Sequence, residues 1–158
     1  DQKRVRELFA SFIEADSSQI ATMPSTAFAI SLAARNIQRT LLKKKGRVLI
    51  LQDQMCSAIY PWQEICEESN GNIELDVVPH PQTEGGWTEA ILKRLDNDVL
   101  VACLPPLHWS DGALVDLEII SSVCIKHDIA LIVDATQGEF IKYVGRYFYL
   151  SVLELTEV

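Results

Sequence analysis

From Ile129 to Val133 the chain runs through five apolar residues, Ile129-Ala130-Leu131-Ile132-Val133, and then delivers an acid, Asp134, followed by Ala135-Thr136-Gln137. An apolar run of this length without alternation reads as a strand buried on both faces, the mark of a parallel sheet. Open parallel sheets bind their ligands along the C-terminal edge of the strands. That places Asp134 where an acid can pair with a protonated ring nitrogen of a bound cofactor. Asp at a strand end is also an ordinary turn or cap residue, so the rest of the chain must decide.

The preceding sequence alternates two periodicities. Val5, Leu8, Phe9, Phe12 and Ile13 recur at helical spacing over residues 3–15, predicting an amphipathic helix. Gln19-Ile20-Ala21-Thr22-Met23 reads as a short strand stopped by Pro24. Ser25-Thr26 are cap-type residues for a helix over Ala27–Leu42, with Lys43, Lys44 and Lys45 at its negative end and Gly46 as its stop. Strands are then expected at 48–51, 73–78, 99–104 and 129–133, and helices at 59–68, 87–95 and 114–127. Asn70-Gly71, Gly85-Gly86 and Asp111-Gly112 mark turns. Regular β/α alternation predicts right-handed crossovers and a three-layer α/β/α domain with a mostly parallel sheet.

At 158 residues the chain makes one ordinary domain. A hydrophobic content of 48% suits a sheet covered on both faces, yet no apolar run approaches the length of a membrane span. The net charge of −8 argues against nucleic acid or anionic lipid as a partner. It leaves a phosphate ligand open, since amides at a helix N-terminus hold anions regardless of overall acidity. Cys56, Cys66, Cys103 and Cys124 form no C-x-x-C pair, and His80, His108 and His127 are dispersed. The expectation is no metal site, free thiols and a cytoplasmic location.

Three strand ends carry candidate chemistry. Met23-Pro24-Ser25-Thr26-Ala27 is a turn whose hydroxyls and amides could clamp a phosphate, or simply a helix cap. Pro105-Pro106-Leu107-His108-Trp109-Ser110-Asp111-Gly112 is a rigid loop with an aromatic pair. The third is Asp134 to Gln137. The first turn lacks G-x-G-x-x-G, and G-x-x-x-x-G-K is absent from the chain, which removes dinucleotide and nucleoside triphosphate sites of those types.

These segments in this order, together with Asp53-Gln54 and Tyr60-Pro61-Trp62, resemble the large domain of class V aminotransferases over roughly residues 1–140. These are fold-type-I pyridoxal-phosphate (PLP) enzymes that include cysteine desulfurases and kynureninases. The resemblance implies that Ser25 and Thr26 hold the cofactor phosphate, that Asp134 pairs with the pyridine nitrogen and that Gln137 hydrogen-bonds the ring hydroxyl. Trp109 falls where desulfurases carry an asparagine near that hydroxyl, and Met55 or Cys56 where they carry a histidine stacked on the ring. It further implies an amino-acid substrate and a homodimeric parent.

In the family a lysine that attaches the cofactor follows a further strand beyond the Asp, and the only lysine after Gln137 here is Lys142. The resemblance therefore predicts a partial large domain over 1–139 and a divergent tail over 140–158. It also predicts a chain with weak cofactor binding and no catalytic residue of its own. The tail is rich in aromatic and β-branched residues and is expected to favour self-association. A non-catalytic α/β interaction domain is the alternative.

Overall fold

In the computed structural model, residues 1–82 and 86–136 are described; the expectations for Gln137 and for residues 140–158 lie outside them. Helix α1 (Gln2–Phe12) is capped by Asp1. A 3-10 turn at Ser17–Gln19 leads into α2 (Thr26–Leu41), and then β1 (Gly46–Leu51), α3 (Tyr60–Glu68), β2 (Ile73–Val78), α4 (Gly86–Leu92), β3 (Val99–Leu104), α5 (Leu117–Lys126) and β4 (Ala130–Val133) follow. The four strands form one parallel sheet in the order β2-β1-β3-β4.

The strand faces sort into two cores. Leu49, Leu51, Ala102, Leu104 and Val133 pack with Trp87 and Ile91 of α4 and with Leu117, Ile120 and Cys124 of α5. Val48, Ile50, Val101, Cys103 and Ile132 pack with Ala29, Ile30 and Ala34 of α2 and with Trp62 and Ile65 of α3. Apolar residues facing both ways along β1, β3 and β4 are thus covered by a helical layer on either side, which accounts for their unbroken apolar runs, whereas the edge strand β2 carries Glu74 and Asp76.

Four local expectations are corrected. Residues 19–23 form no strand. Asp16 accepts from the Ser18 amide at 2.8 Å and draws Ser17–Gln19 into a 3-10 turn, and the extended segment that follows has no ladder partner among the described residues. Gly46 does not stop α2; Leu42 is its C-cap, and Gly46 opens β1. The glycine is there because a Cβ would run into the Asp98 carbonyl and the Leu100 side chain on β3. That crowding coincides with the register shift between β1 and β3 at Arg47/Val48. Helix α5 begins at Leu117 rather than 114, because the Asp116 carboxylate takes the Glu118 and Ile119 amides, both at 3.1 Å. Helix α4 ends at Leu92 rather than 95.

At the N-terminal end of the sheet, Asp76 of β2 is gripped by the guanidinium groups of Arg47 and Arg94, and Arg47 also forks onto Asp96 at 2.7 and 2.8 Å. This network lies at the opposite end of the strands from the ligand edge.

Candidate functional site

The strand order places the chain's reversal of direction between β1 and β3. Chain connections leave that point toward β2 on one side and β4 on the other, opening a crevice at the C-terminal ends of the two central strands. Gln54 ties its two walls together. The Leu51 amide donates to Gln54 Oε1 at 2.9 Å, and Gln54 Nε2 donates to the Cys103 carbonyl at 3.1 Å, so a buried side chain supplies a rung between strands.

Two groups of predicted residues gather along this edge. On the α2 side, Ser25 caps the helix by accepting the Phe28 amide at 3.2 Å. The hydroxyl of Thr26, the first helical residue, sits 3.2 Å from the Thr136 hydroxyl just past β4. Thr136 donates its hydroxyl to Asp134 Oδ1 at 2.6 Å and its amide to the same oxygen at 3.2 Å. Because that hydroxyl proton is committed to Asp134, the Thr26 hydroxyl must be the donor toward Thr136. Asp134 is only 7% exposed, and its Oδ2 accepts no hydrogen bond from the described residues. A nearly buried carboxylate with one oxygen unengaged by those residues is placed to accept from a ligand's donor.

Trp109 belongs to the second group. Its indole N–H donates to the Asp53 carbonyl at 2.6 Å, the residue is 51% exposed, and its indole makes no hydrogen bond to Thr26, Thr136 or Asp134. Asp53 holds a left-handed backbone (φ 56°) at the turn after β1. The loop carrying Trp109 folds back on itself, with His108 and Ala113 joined at 2.9 Å and a bridge from Leu107 to Leu114.

The fold also assembles a cluster whose members looked scattered in the sequence. His108, fully buried, stacks on Trp87 (centroids 4.6 Å apart, 21° between planes) and meets His80 edge-on at 5.5 Å. His108 Nε2 lies 2.9 Å from the Gln52 carbonyl, which can only accept, so Nε2 carries a proton. Its Nδ1 faces the Ser110 hydroxyl at 2.9 Å. His80 Nε2 lies 3.1 Å from Asp53 Oδ2, and His80 Nδ1 lies 3.9 Å from Asp111 Oδ2. Asp111 takes the Trp87 indole N–H at 2.9 Å. Desolvation pushes its carboxyl up, but the Ala113 amide, the Trp87 indole and the two imidazoles outweigh it and hold it below the ordinary value. The available signal was positional: His80 follows β2 by two residues, and His108 follows β3 by four. Among the described residues no group of three or more His, Cys, Asp or Glu is arranged to hold a metal.

Fold and edge together define an α/β domain of the PLP-dependent transferase type. Residues 2–141 match the family described as Aminotransferase class-V, and the chain belongs to that family. Solved structures with this fold include the cysteine desulfurase CsdA from Escherichia coli (16% identity, TM-score 0.75, covering 85% of this chain and 33% of that one). A cysteine desulfurase from Thermococcus onnurineus NA1 is similar (16%, TM-score 0.71, 85% and 32%). So is a C-DES mutant with glycine covalently linked to its PLP cofactor (17%, TM-score 0.68, 84% and 35%). The chain spans about a third of the length of these neighbours. Compared by sequence with curated proteins, it has no match. No helix among the described residues is long and apolar enough to cross a membrane.

Proposed function

We propose that this chain is the cofactor-holding part of a PLP-dependent enzyme that acts on an amino acid, with the ring seated at the C-terminal edge between α2, β4 and the crevice loops. The observation that carries the reading is Asp134: buried, oriented through Oδ1 by Thr136, and presenting an Oδ2 that has no donor among the described residues. The pyridinium N–H of PLP is such a donor, and the carboxylate keeps the ring protonated. The start of α2 suits the phosphate. Neither the Thr26 nor the Ala27 amide has an acceptor among the described residues. Ser25 Oγ accepts from Phe28 and so retains its own proton for a phosphate oxygen.

Roles follow residue by residue. Ser25 and the Thr26 amide hold the phosphate, while the Thr26 hydroxyl is spent on Thr136. Asp134 fixes the ring nitrogen, Gln137 hydrogen-bonds the ring hydroxyl, and Trp109 walls the site on the crevice side. PLP, when bound, acts as an electron sink that labilises bonds at the amino-acid Cα. The chain's own contribution is to bind, orient and desolvate it. These contacts are noncovalent, so the expected binding is weak and reversible. The proposal extends to a cytoplasmic, homodimeric parent.

Titration of the chain with PLP, followed by cofactor absorbance, tests the reading. We expect saturable binding that dialysis reverses and that Asp134→Ala removes while the fold persists. Binding unaffected by that substitution overturns the assignment, as does stable oligomerisation with no PLP binding. Borohydride reduction with peptide mapping reports in the same samples whether any lysine of the chain attaches the cofactor.

A further inference from the structure

We propose that His80 is a positioning residue for the crevice, bracing Asp53 so that the Asp53 carbonyl holds the Trp109 indole. The inference deepens the reading above by naming what sets Trp109, yet the brace exists without any cofactor.

The chain of contacts is short. His80 is pinned through its backbone, whose N–H donates to Gln52 Oε1 at 3.1 Å, and through ring contacts to Trp87 and His108 (centroids 4.9 and 5.5 Å). From that seat its Nε2 reaches Asp53 Oδ2 at 3.1 Å. The adjoining peptide carbonyl of Asp53 accepts the Trp109 indole at 2.6 Å. Asp53 is held in a left-handed conformation that a non-glycine residue adopts at a cost, so its carbonyl direction depends on what fixes it. The brace thus joins the loops after β1, β2 and β3, and Trp109, half exposed, has no other side-chain hydrogen bond among the described residues to define its ring.

The test follows indole N–H signals of the full-length chain by 15N–1H NMR at one fixed pH without cofactor, assigned with Trp62→Phe, Trp87→Phe and Trp109→Phe. We expect the Trp109 N–H to exchange slowly with solvent for a half-exposed indole. His80→Phe, which keeps a ring against Trp87, and separately Asp53→Ala should each quicken that exchange severalfold while the Trp62 signal, in the opposite core, stays in place, and His127→Gln should leave it unchanged. A Trp109 exchange rate that is the same in His80→Phe as in the wild-type chain overturns the proposal. PLP binding is read separately: a His80-dependent Trp109 signal in a chain that binds no PLP sustains the brace and removes the cofactor reading.

Discussion

Thr26 Oγ1 lies 3.2 Å from Thr136 Oγ1, joining the first turn of α2 to the end of β4 across 110 positions of sequence. The contact matters through its direction. Thr26 donates to Thr136, and Thr136 donates to Asp134, so two hydroxyls line up toward one carboxylate oxygen and leave the other without a donor among the described residues.

Replacing Thr136 with Val keeps the shape and removes the shorter donor to Asp134. Among the described residues the carboxylate then retains the amide at 3.2 Å, and one charge-assisted hydrogen bond is lost at about 1.5 kcal/mol. We expect PLP affinity to fall by about tenfold, and Thr26→Val, one step further from the acid, to cost less. Fluorescence titration of the two variants measures both.

Gln54 offers a stability test. Gln54→Leu leaves the Leu51 amide and the Cys103 carbonyl buried without partners, because the side-chain rung joins them. Each orphaned group costs about 1–3 kcal/mol, so urea denaturation should show a loss of about 2–5 kcal/mol. Gln54→Glu keeps the acceptor for Leu51 but sets a buried carboxylate oxygen against the Cys103 carbonyl, and should cost at least as much as Leu at neutral pH.

The thiols set an alkaline limit. Burial pushes Cys103 up to about 12 and Cys124 up to about 11 from an ordinary value of 9.0, and Cys66 to about 11 with Glu67 adding to the effect. Their raised folded values mean that the native state keeps protons the unfolded chain releases. Stability is therefore untouched by these groups below pH 9 and falls as pH climbs from 9 toward 12. Cys103→Ala should flatten the fall between pH 9.5 and 11 in urea midpoints. Native alkylation near pH 8 should modify exposed Cys56 first, leaving the other three for the denatured chain.

The ion network predicts an asymmetry. The Asp76 side chain is only 8% exposed, whereas those of Arg47 and Arg94 are 25% and 39% exposed. Removing both arginines strands a buried carboxylate and should destabilise by about 3 kcal/mol or more. Asp76→Leu leaves two guanidiniums that reach water, one still paired with Asp96, and should cost under about 2 kcal/mol. Thermal unfolding of the Arg47→Ala/Arg94→Ala pair against Asp76→Leu decides it.

Periodicity carried most of the architecture. The boundaries of β3 coincide with its apolar run, since both faces of that central strand are covered and the pattern has one solution; those of the edge strand β2 also match, with Ile73 and Val78 buried at its two ends. It failed where a local polar contact overrode the pattern: Asp16 curling the chain before residue 20, and Asp116 delaying α5. Gly46 was misread because its reason for being glycine is a neighbour on β3, more than fifty residues away in sequence. The Thr26–Asp134 half of the site was legible as strand-end chemistry, with Thr136 the unforeseen link. The His80–His108–Trp87 cluster was not, because spacing along the chain says nothing about which loops a crossover brings side by side.

The Gln54 rung has a mechanical consequence. By clasping Cys103 it welds the turn after β1 to the body of the sheet, so Asp53 rides on β3 as much as on its own strand. An arriving molecule therefore meets walls cross-tied beneath it, as a strut joins two posts, with Trp109 hung from the same tied turn.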